Sequence, residues 1–246
     1  KGVWHRASML IGADGATGIV ARSLGLARGV RLGAAIEGEV RVPNPQLLSA
    51  QRSIQFDMGA LPAGYRWIFP KGDHLNVGSC TTREKVRSIK SSFHDFLDLN
   101  PALRGFSDLT MTGAPLPCLM TPCALNTYRT LVCGDSAGLV DPLTAEGIQY
   151  AIESGIFAAE AAVDFLRDGS PLGAYTERVL RTAFVEISIA EKFARLLLDH
   201  PYVSFKVGVN NSKVNALFAD IVSGRKTYLE VYEEIKRRFS RKFYFM

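Results

Sequence analysis

The hydrophobic pattern opens with Ala7 to Ala13 (ASMLIGA), a short apolar run bounded by Gly12 and Asp14-Gly15, which predicts a buried parallel strand. Thr17 to Leu26 then takes helical spacing, with Ile19, Val20 and Leu24 on one side and Gly25 near its end. From Gly33 to Thr82 the period falls to two. Ala35–Val42, Ser53–Met58 and Leu75–Ser79 alternate between Gly and Pro clusters, which predicts an antiparallel sheet. Arg83 to Leu99 returns to 3.6 spacing through Val86, Ile89, Phe93, Phe96 and Leu97, and stops at Asn100-Pro101. Leu109 to Leu119 is extended. Leu131-Val132-Cys133 reads as a second buried strand, followed by a turn and a helix over Gln149–Arg167 that ends at Asp168-Gly169. Residues from Pro171 onward are helical, with breaks at His200-Pro201 and near Gly224.

These elements predict an α/β protein. Residues 1–30 and 126–170 carry strand–turn–helix units, 31–125 an inserted antiparallel β-sheet and 171–246 a C-terminal helical region; the motif resemblance set out below implies that the first is an incomplete Rossmann-like nucleotide-binding domain and the second a substrate domain.

Composition narrows the function classes. The chain has 246 residues, 47% hydrophobic and 22% charged, which is ordinary for a globular protein. It carries no run of about 18 uninterrupted apolar residues and no leader-like apolar core in Lys1–Leu10. Cys80, Cys118, Cys123 and Cys133 form no CxxC pair, so a zinc site and a disulfide scaffold are both disfavoured; reduced thiols predict a cytoplasmic protein. The four histidines are scattered, without metal-ligand spacing or a Ser-His-Asp arrangement. A net charge of +5 permits attraction to an anionic membrane or phosphorylated substrate, and no nucleic-acid-binding signature accompanies it. The final Lys236–Phe245 stretch mixes bases with aromatics. It reads either as a peripheral anchor on an anionic membrane or as a solvated helix end.

The chemistry concentrates in two stretches. Leu131–Tyr150, LVCGDSAGLVDPLTAEGIQY, has a strand ending at an acidic residue, small residues that let a ligand approach the backbone, and a helix start. The unpaired N–H groups of a helix N-terminus, with the helix dipole, favour electron-rich oxygens. Leu61–Pro70 contains Tyr65, Trp67 and Phe69 at period two, which puts the three rings on one face of a strand. Such a face is either the core side of a half-buried strand or an apolar wall for a ligand.

GDSAGLVDPLTAEG resembles the second flavin motif of FAD-dependent oxidoreductases of the hydroxybenzoate-hydroxylase type, and most closely that of the geranylgeranyl reductase family. IGADGATGIVAR is similar to the family's first flavin motif, with Gly18 standing where Ser is usual. PxxYxWxFP resembles the family's substrate-side signature at every fixed position, and Ser223–Tyr228 its late G-x-x-x-Y region. The resemblance implies FAD as cofactor, held by Asp14, Gly15 and Arg22 and by Gly134, Asp135, Ala137, Gly138, Pro142, Thr144, Ala145, Glu146, Gly147 and Ile148. Asp135 would accept from ribityl hydroxyls, and the Ala145–Ile148 helix start would meet the flavin's pyrimidine edge. The family usually has Gly at position 145. Tyr65, Trp67 and Phe69 would contact an isoprenoid substrate.

The implied reaction saturates carbon–carbon double bonds of a polyprenyl group in a lipid, pigment or quinone, with NAD(P)H or a reduced ferredoxin-like protein as electron donor. No catalytic acid is identifiable. A flavin monooxygenase or halogenase of the same fold is the first rival; the apolar aromatic strand speaks against it. The chain also lacks the GxGxxG turn of a dinucleotide-binding first strand. The expectation is therefore that an N-terminal portion is missing, and a fragment unable to hold FAD is the second rival.

Overall fold

The computed structural model describes residues 2–83, 89–209 and 211–243. In chain order the elements are β1 (Leu10–Gly12), α1 (Val20–Leu24), β2 (Val30–Arg41), α2 (Asn44–Ala50), β3 (Gln55–Met58), β4 (Gly64–Pro70), β5 (Leu75–Thr81), α3 (Ile89–Leu99), β6 (Ser107–Leu119) and β7 (Thr130–Val132). There follow α4 (Ile148–Asp168), α5 (Gly173–Arg181), α6 (Ala183–Leu198), α7 (Pro201–Ser204), α8 (Ser212–Val222) and α9 (Tyr228–Phe243). Val86 of the predicted Arg83–Leu99 helix, and Tyr244 and Phe245 of the tail, lie outside the described residues. Two compact units result: Lys1–Arg31, Pro117–Phe193 and Ser212–Met246 form the first, and Leu32–Leu116 with Ala194–Asn211 the second.

In the first unit, β1 and β7 pair in parallel with Ile11 opposite Leu131. Leu125, Leu131, Val132, Ala137 and Leu139 pack with Tyr150, Phe157 and Ala158 of α4 and with Tyr175, Val179 and Ile187 from α5 and α6. Tyr175 is fully enclosed, and its hydroxyl donates to the Val132 carbonyl at 2.7 Å, so no buried polar group is left open there. The strand expected to be buried is buried only at Gly12: Leu10 is 48% and Ile11 38% exposed, because the sheet has two strands and β1 has one neighbour. The helix expected over Thr17–Leu26 is shortened to the five residues of α1. Along α4 the buried face is Tyr150, Ser154, Phe157 and Ala158, whereas Ile148, Ile152 and Ile156 line an open groove. No helix among the described residues is long and apolar enough to cross a membrane.

The second unit is a five-stranded sheet in the order β3-β4-β5-β2-β6, and the period-two stretches supply β2 to β5. Register fixes its faces: Ile68 lies opposite Val77, and Trp67 opposite Gly78. The Ile68 side, with Val40, Leu75 and Val77, is covered by Phe93, Phe96 and Leu97 of α3 and by Leu47 and Ala50 of α2. Arg66, on that same side, spreads its guanidinium over the Phe96 ring 4.7 Å away and pairs with Asp57. The periodic pattern does not announce α2. It begins after Pro43 and carries Pro45 in its first turn, where a missing N–H costs nothing.

Gly78 is the tightest point of this sheet. A Cβ there would sit 2.0 Å from Trp67 Cζ2, inside an aromatic ring that cannot swing away as a flexible chain end would. Gly78→Ala should therefore cost about 1–3 kcal/mol, read as a lower urea midpoint, with a shift in tryptophan emission. Trp4 is 98% exposed, so that shift reports Trp67. An unchanged midpoint and emission would show that the ring has room.

Candidate functional site

The turn after β1 is organised by Asp14. Its carboxylate accepts the N–H groups of Ile19 at 2.6 Å and Val20 at 3.0 Å, the donors that α1 leaves unpaired at its start. The Ser136 hydroxyl, from the turn after β7, donates to Asp14 at 2.9 Å and lies 3.2 Å from the Gly15 carbonyl. The two strand-turn segments are thereby tied together across the parallel pair. Gly18 is explained by the same carboxylate: a Cβ at that position would lie 2.2 Å from Asp14 Oδ1. Gly15, at φ +78°, has open space where a side chain would stand, and Arg22 is exposed on α1.

After β7 the chain makes a 3₁₀ turn over Gly134–Ala137 and leaves it through Gly138, at φ +77°. The Gly134 N–H donates to Ser154 Oγ at 2.9 Å, and that hydroxyl donates to the Tyr150 carbonyl at 2.7 Å, which docks the turn on α4. Asp135 differs from Asp14. Its carboxyl is half-buried, desolvation raises its pKa, and among the described residues no hydrogen bond to it accompanies that rise. A desolvated acceptor without a protein donor suits a ligand hydroxyl.

The loop Asp141–Gly147 is built round Asp141, which is 4% exposed. Its Oδ1 accepts from Leu143 N at 2.7 Å and Thr144 N at 3.1 Å, and its Oδ2 from the Tyr228 hydroxyl at 2.5 Å. Burial pushes the Asp141 carboxyl up against the lowering effect of those donors, and pushes the Tyr150 and Tyr228 phenols up as well. Pro142 is buried. Thr144 and Gly147 are half-buried. Ala145 takes φ +58°, a conformation that costs a residue with a Cβ about 1–2 kcal/mol. Gly147 caps α4, and Glu146 Oε1 takes the Gln149 N–H at 2.9 Å. The Gly147 and Ile148 N–H groups have no acceptor among the described residues. This leaves two donors at the positive end of a helix of 21 residues.

On the sheet of the second unit, Tyr65, Trp67 and Phe69 do share a face, opposite the helix-covered one, and on it Tyr65 and Trp67 are themselves buried at 5% and 8% exposure while Phe69 is half-buried. Trp67 and Phe69 stack at 6.0 Å, and Phe56 meets Tyr65 and Phe69 edge-on at 5.5 and 5.4 Å. Trp67 Nε1 donates to Asn76 Oδ1 at 2.6 Å, and Asn76 Nδ2 donates to Glu39 at 2.9 Å and Glu37 at 3.3 Å. The indole is thus satisfied within the sheet. Cys80 lies on the same strand face with its thiol pushed up to about 12 by burial, which makes it a poor nucleophile. Among the described residues no group of side chains could hold a metal ion.

The comparisons bear on this arrangement. No protein-family model matches the chain. It is 32% identical over 178 residues to digeranylgeranylglycerophospholipid reductase 2 of Methanothermobacter thermautotrophicus, covering 69% of this chain and 44% of that one. A geranylgeranyl bacteriochlorophyll reductase-like protein of Thermoplasma acidophilum superposes with a TM-score of 0.65 at 25% identity, covering 80% of this chain and 52% of that one. The chain belongs to the geranylgeranyl reductase family.

A flavin-dependent brominase, with a TM-score of 0.61 at 17% identity over 98% of this chain and 66% of that one, shares the α/β flavoprotein fold. The chain spans about half the length of the curated relatives it matches. Family resemblance alone does not single out Ser136, Ser154 or Asp141; their roles appear only once the turns, α4 and Tyr228 are seen together.

The cap at Asp14 gives a pH test. Hydrogen bonds from Val20, Ser136 and Ile19 hold its carboxyl below the ordinary range, so the folded state binds this proton less tightly than the unfolded chain. Its contribution is complete above the unfolded value of about 3.9 and is lost as pH falls through the lower folded value. Asp14→Ala should cost about 1 kcal/mol at neutral pH and nothing at strongly acid pH. Amide shifts of Ile19 and Val20 should titrate below the ordinary carboxylate midpoint; titration at or above it would contradict the cap.

Proposed function

We propose that the chain carries the ribityl and ring-edge part of an FAD site, together with an apolar wall for a polyprenyl group. The reaction is reductive saturation of carbon–carbon double bonds in a geranylgeranyl-type lipid, pigment or quinone. The observation that supports it most directly is the Tyr65–Trp67–Phe69 face, which lies away from the helix-covered core and has its indole N–H already paired with Asn76. An isoprenoid offers no hydrogen-bonding groups along its length, so a wall of rings whose polar atom is satisfied suits it.

The loop residues fit the cofactor. Asp135 accepts from hydroxyls, and the Gly147 and Ile148 N–H groups donate to a carbonyl or anionic ring edge; Gly134 and Gly138 serve the turn itself, since a Cβ at either would meet Ala151 or Val30. The dipole of α4 favours negative charge there. Bound FAD, once reduced, supplies a hydride to one alkene carbon, and a proton from solvent or protein completes the saturation. Asp14, with its carboxylate committed to α1 and Ser136, acts in this reading as a brace for the two turns and leaves ligand contact to the backbone of Gly15. NAD(P)H or a reduced ferredoxin is the electron donor. The 246 residues contain no GxGxxG turn for the pyrophosphate.

Dithionite-reduced, FAD-loaded protein given a geranylgeranyl lipid without oxygen should yield product heavier by two hydrogens per saturated bond. Trp67→Ala should lower kcat/KM about tenfold or more while the flavin spectrum stays unchanged. Rapid substrate-dependent oxygen consumption would instead favour a monooxygenase, and a colourless protein that ignores added FAD would favour the fragment reading. Peripheral contact with anionic membranes through Lys236–Phe245 belongs to the same proposal. Liposome flotation should weaken in a chain ending at Glu234, and equal flotation would remove the tail as an anchor.

A further inference from the structure

The turn between α8 and α9 joins the last family-like motif to the loop after β7. Helix α8 closes at Gly224, at φ +68°, whose N–H bonds to the Ile221 carbonyl at 2.9 Å while Arg225 N–H returns to Asp220 at 2.9 Å. Thr227 and Glu230 then form a reciprocal cap: Thr227 N–H donates to Glu230 Oε2 at 2.8 Å, and Glu230 N–H to Thr227 Oγ1 at 3.2 Å. This T-x-x-E box starts α9 at Tyr228 and fixes the direction of its first side chain. Tyr228 N–H is held in turn by Glu186 Oε2 of α6 at 2.7 Å. The spacing of the G-x-x-x-Y motif is therefore the length of chain between a left-handed helix stop and a boxed helix start. It ends with a phenol, 4% exposed, aimed at a carboxylate, also 4% exposed.

We propose that Tyr228 and Asp141 are a positioning pair through which α9 sets the geometry of the Pro142–Gly147 loop. The pair stands on its own geometry; its consequence for flavin binding rests on the cofactor reading of that loop. The Tyr228 hydroxyl occupies one carboxylate oxygen, which leaves the other aimed at the Leu143 and Thr144 amides. The backbone closes the same turn, with the Ala145 N–H on the Asp141 carbonyl at 2.9 Å and the Asp141 N–H on the Glu146 carbonyl at 2.8 Å, so rotation of the Asp141 side chain would release the Leu143 and Thr144 amides from inside it. The turn that holds Ala145 at positive φ would then rest on its backbone bonds alone, and the Gly147 and Ile148 donors that follow it would be less firmly directed. Tyr228 touches no reacting atom in this scheme. It acts through Asp141.

Tyr228→Phe removes one hydroxyl and keeps the ring, so the chain still fills the same volume. Amide hydrogen exchange is measured at Leu143, Thr144 and Ala145, with Leu131 and Val132 of β7 as internal reference. Exchange in the loop should accelerate about tenfold or more while β7 is unchanged. Asp141→Asn, which keeps an oxygen for the loop amides, should remain much closer to the parent than Asp141→Ala, a rescue that mere loss of packing would not give. Unchanged loop exchange in Tyr228→Phe, or equal acceleration in loop and β7, would overturn the pair. FAD titration by quenching of flavin fluorescence separates the two levels. If the parent binds FAD, Tyr228→Phe should bind about tenfold more weakly, and equal affinity would overturn the pair's role toward the cofactor. If neither binds while the loop amides respond, the cofactor reading fails and the positioning pair stands.

Discussion

A carboxylate withdrawn from water must have its lone pairs met, or it gives up its charge. Asp141 is in that position, and much of the first unit follows from how it is met. Burial of such a group costs several kcal/mol even after relaxation. Donors from Tyr228, Leu143 and Thr144 at 2.5 to 3.1 Å, each contributing about 1.5–3 kcal/mol to a charged acceptor, act against it together with the Thr144 side chain. These bonds hold the turn in which Ala145 takes its positive φ and which leads through the Gly147 cap into α4. The C-terminal helices are part of this arrangement, because the Tyr228 donor comes from α9.

The second unit solves a different problem. A sheet with helices on one face must do something with the other. Here the other face carries aromatic rings, not charged residues, along β4. Rings alone would leave an indole N–H to find water or a ligand atom. Asn76 removes that demand, and Glu37 and Glu39 hold the Asn76 amide so that its oxygen points at Trp67. Gly78 gives the indole a flat surface to lie on. The outcome is a row of rings whose orientation is enforced by polar residues of the same sheet face, with Tyr65 and Trp67 themselves buried.

Much of this was legible in the residues. Alternation over Ala35–Val42 and Leu75–Ser79 gave true strands because each has one face against a core, so period and burial agree. Gly169 marked the end of α4 because a left-handed cap there needs no Cβ, and it takes φ +77°. Other features were not legible, for reasons equally physical. The helix α2 has too few turns to display a period. The apolar spacing along α4 does not tell that Ile148, Ile152 and Ile156 are exposed, because periodicity reports amphipathicity, not what covers it. Ser136 and Asp14 are separated by 122 positions, and no local pattern encodes a contact at that distance. The Thr227–Glu230 box, by contrast, was readable in advance as T-x-x-E, and the direction it gives Tyr228 was the missing step.

Asp14 and Asp135 show how far a motif can be pressed. Both are acidic residues just beyond a strand of the same parallel pair, and by resemblance both belong to flavin motifs. Their surroundings separate them. Asp14 has its oxygens taken by two helix amides and a serine, which lower its pKa; Asp135 has been desolvated without being given a donor, which raises its own. A ligand hydroxyl arriving at Asp14 would have to break a cap worth about 1 kcal/mol. Arriving at Asp135, it would relieve a desolvation already present in the protein. In the cofactor reading proposed above, the second carboxylate is the one open to a ligand hydroxyl, and the first is the brace that ties the two turns together. That difference is invisible in the letters G-A-D-G and G-D-S-A-G and follows entirely from which N–H groups each carboxylate can reach.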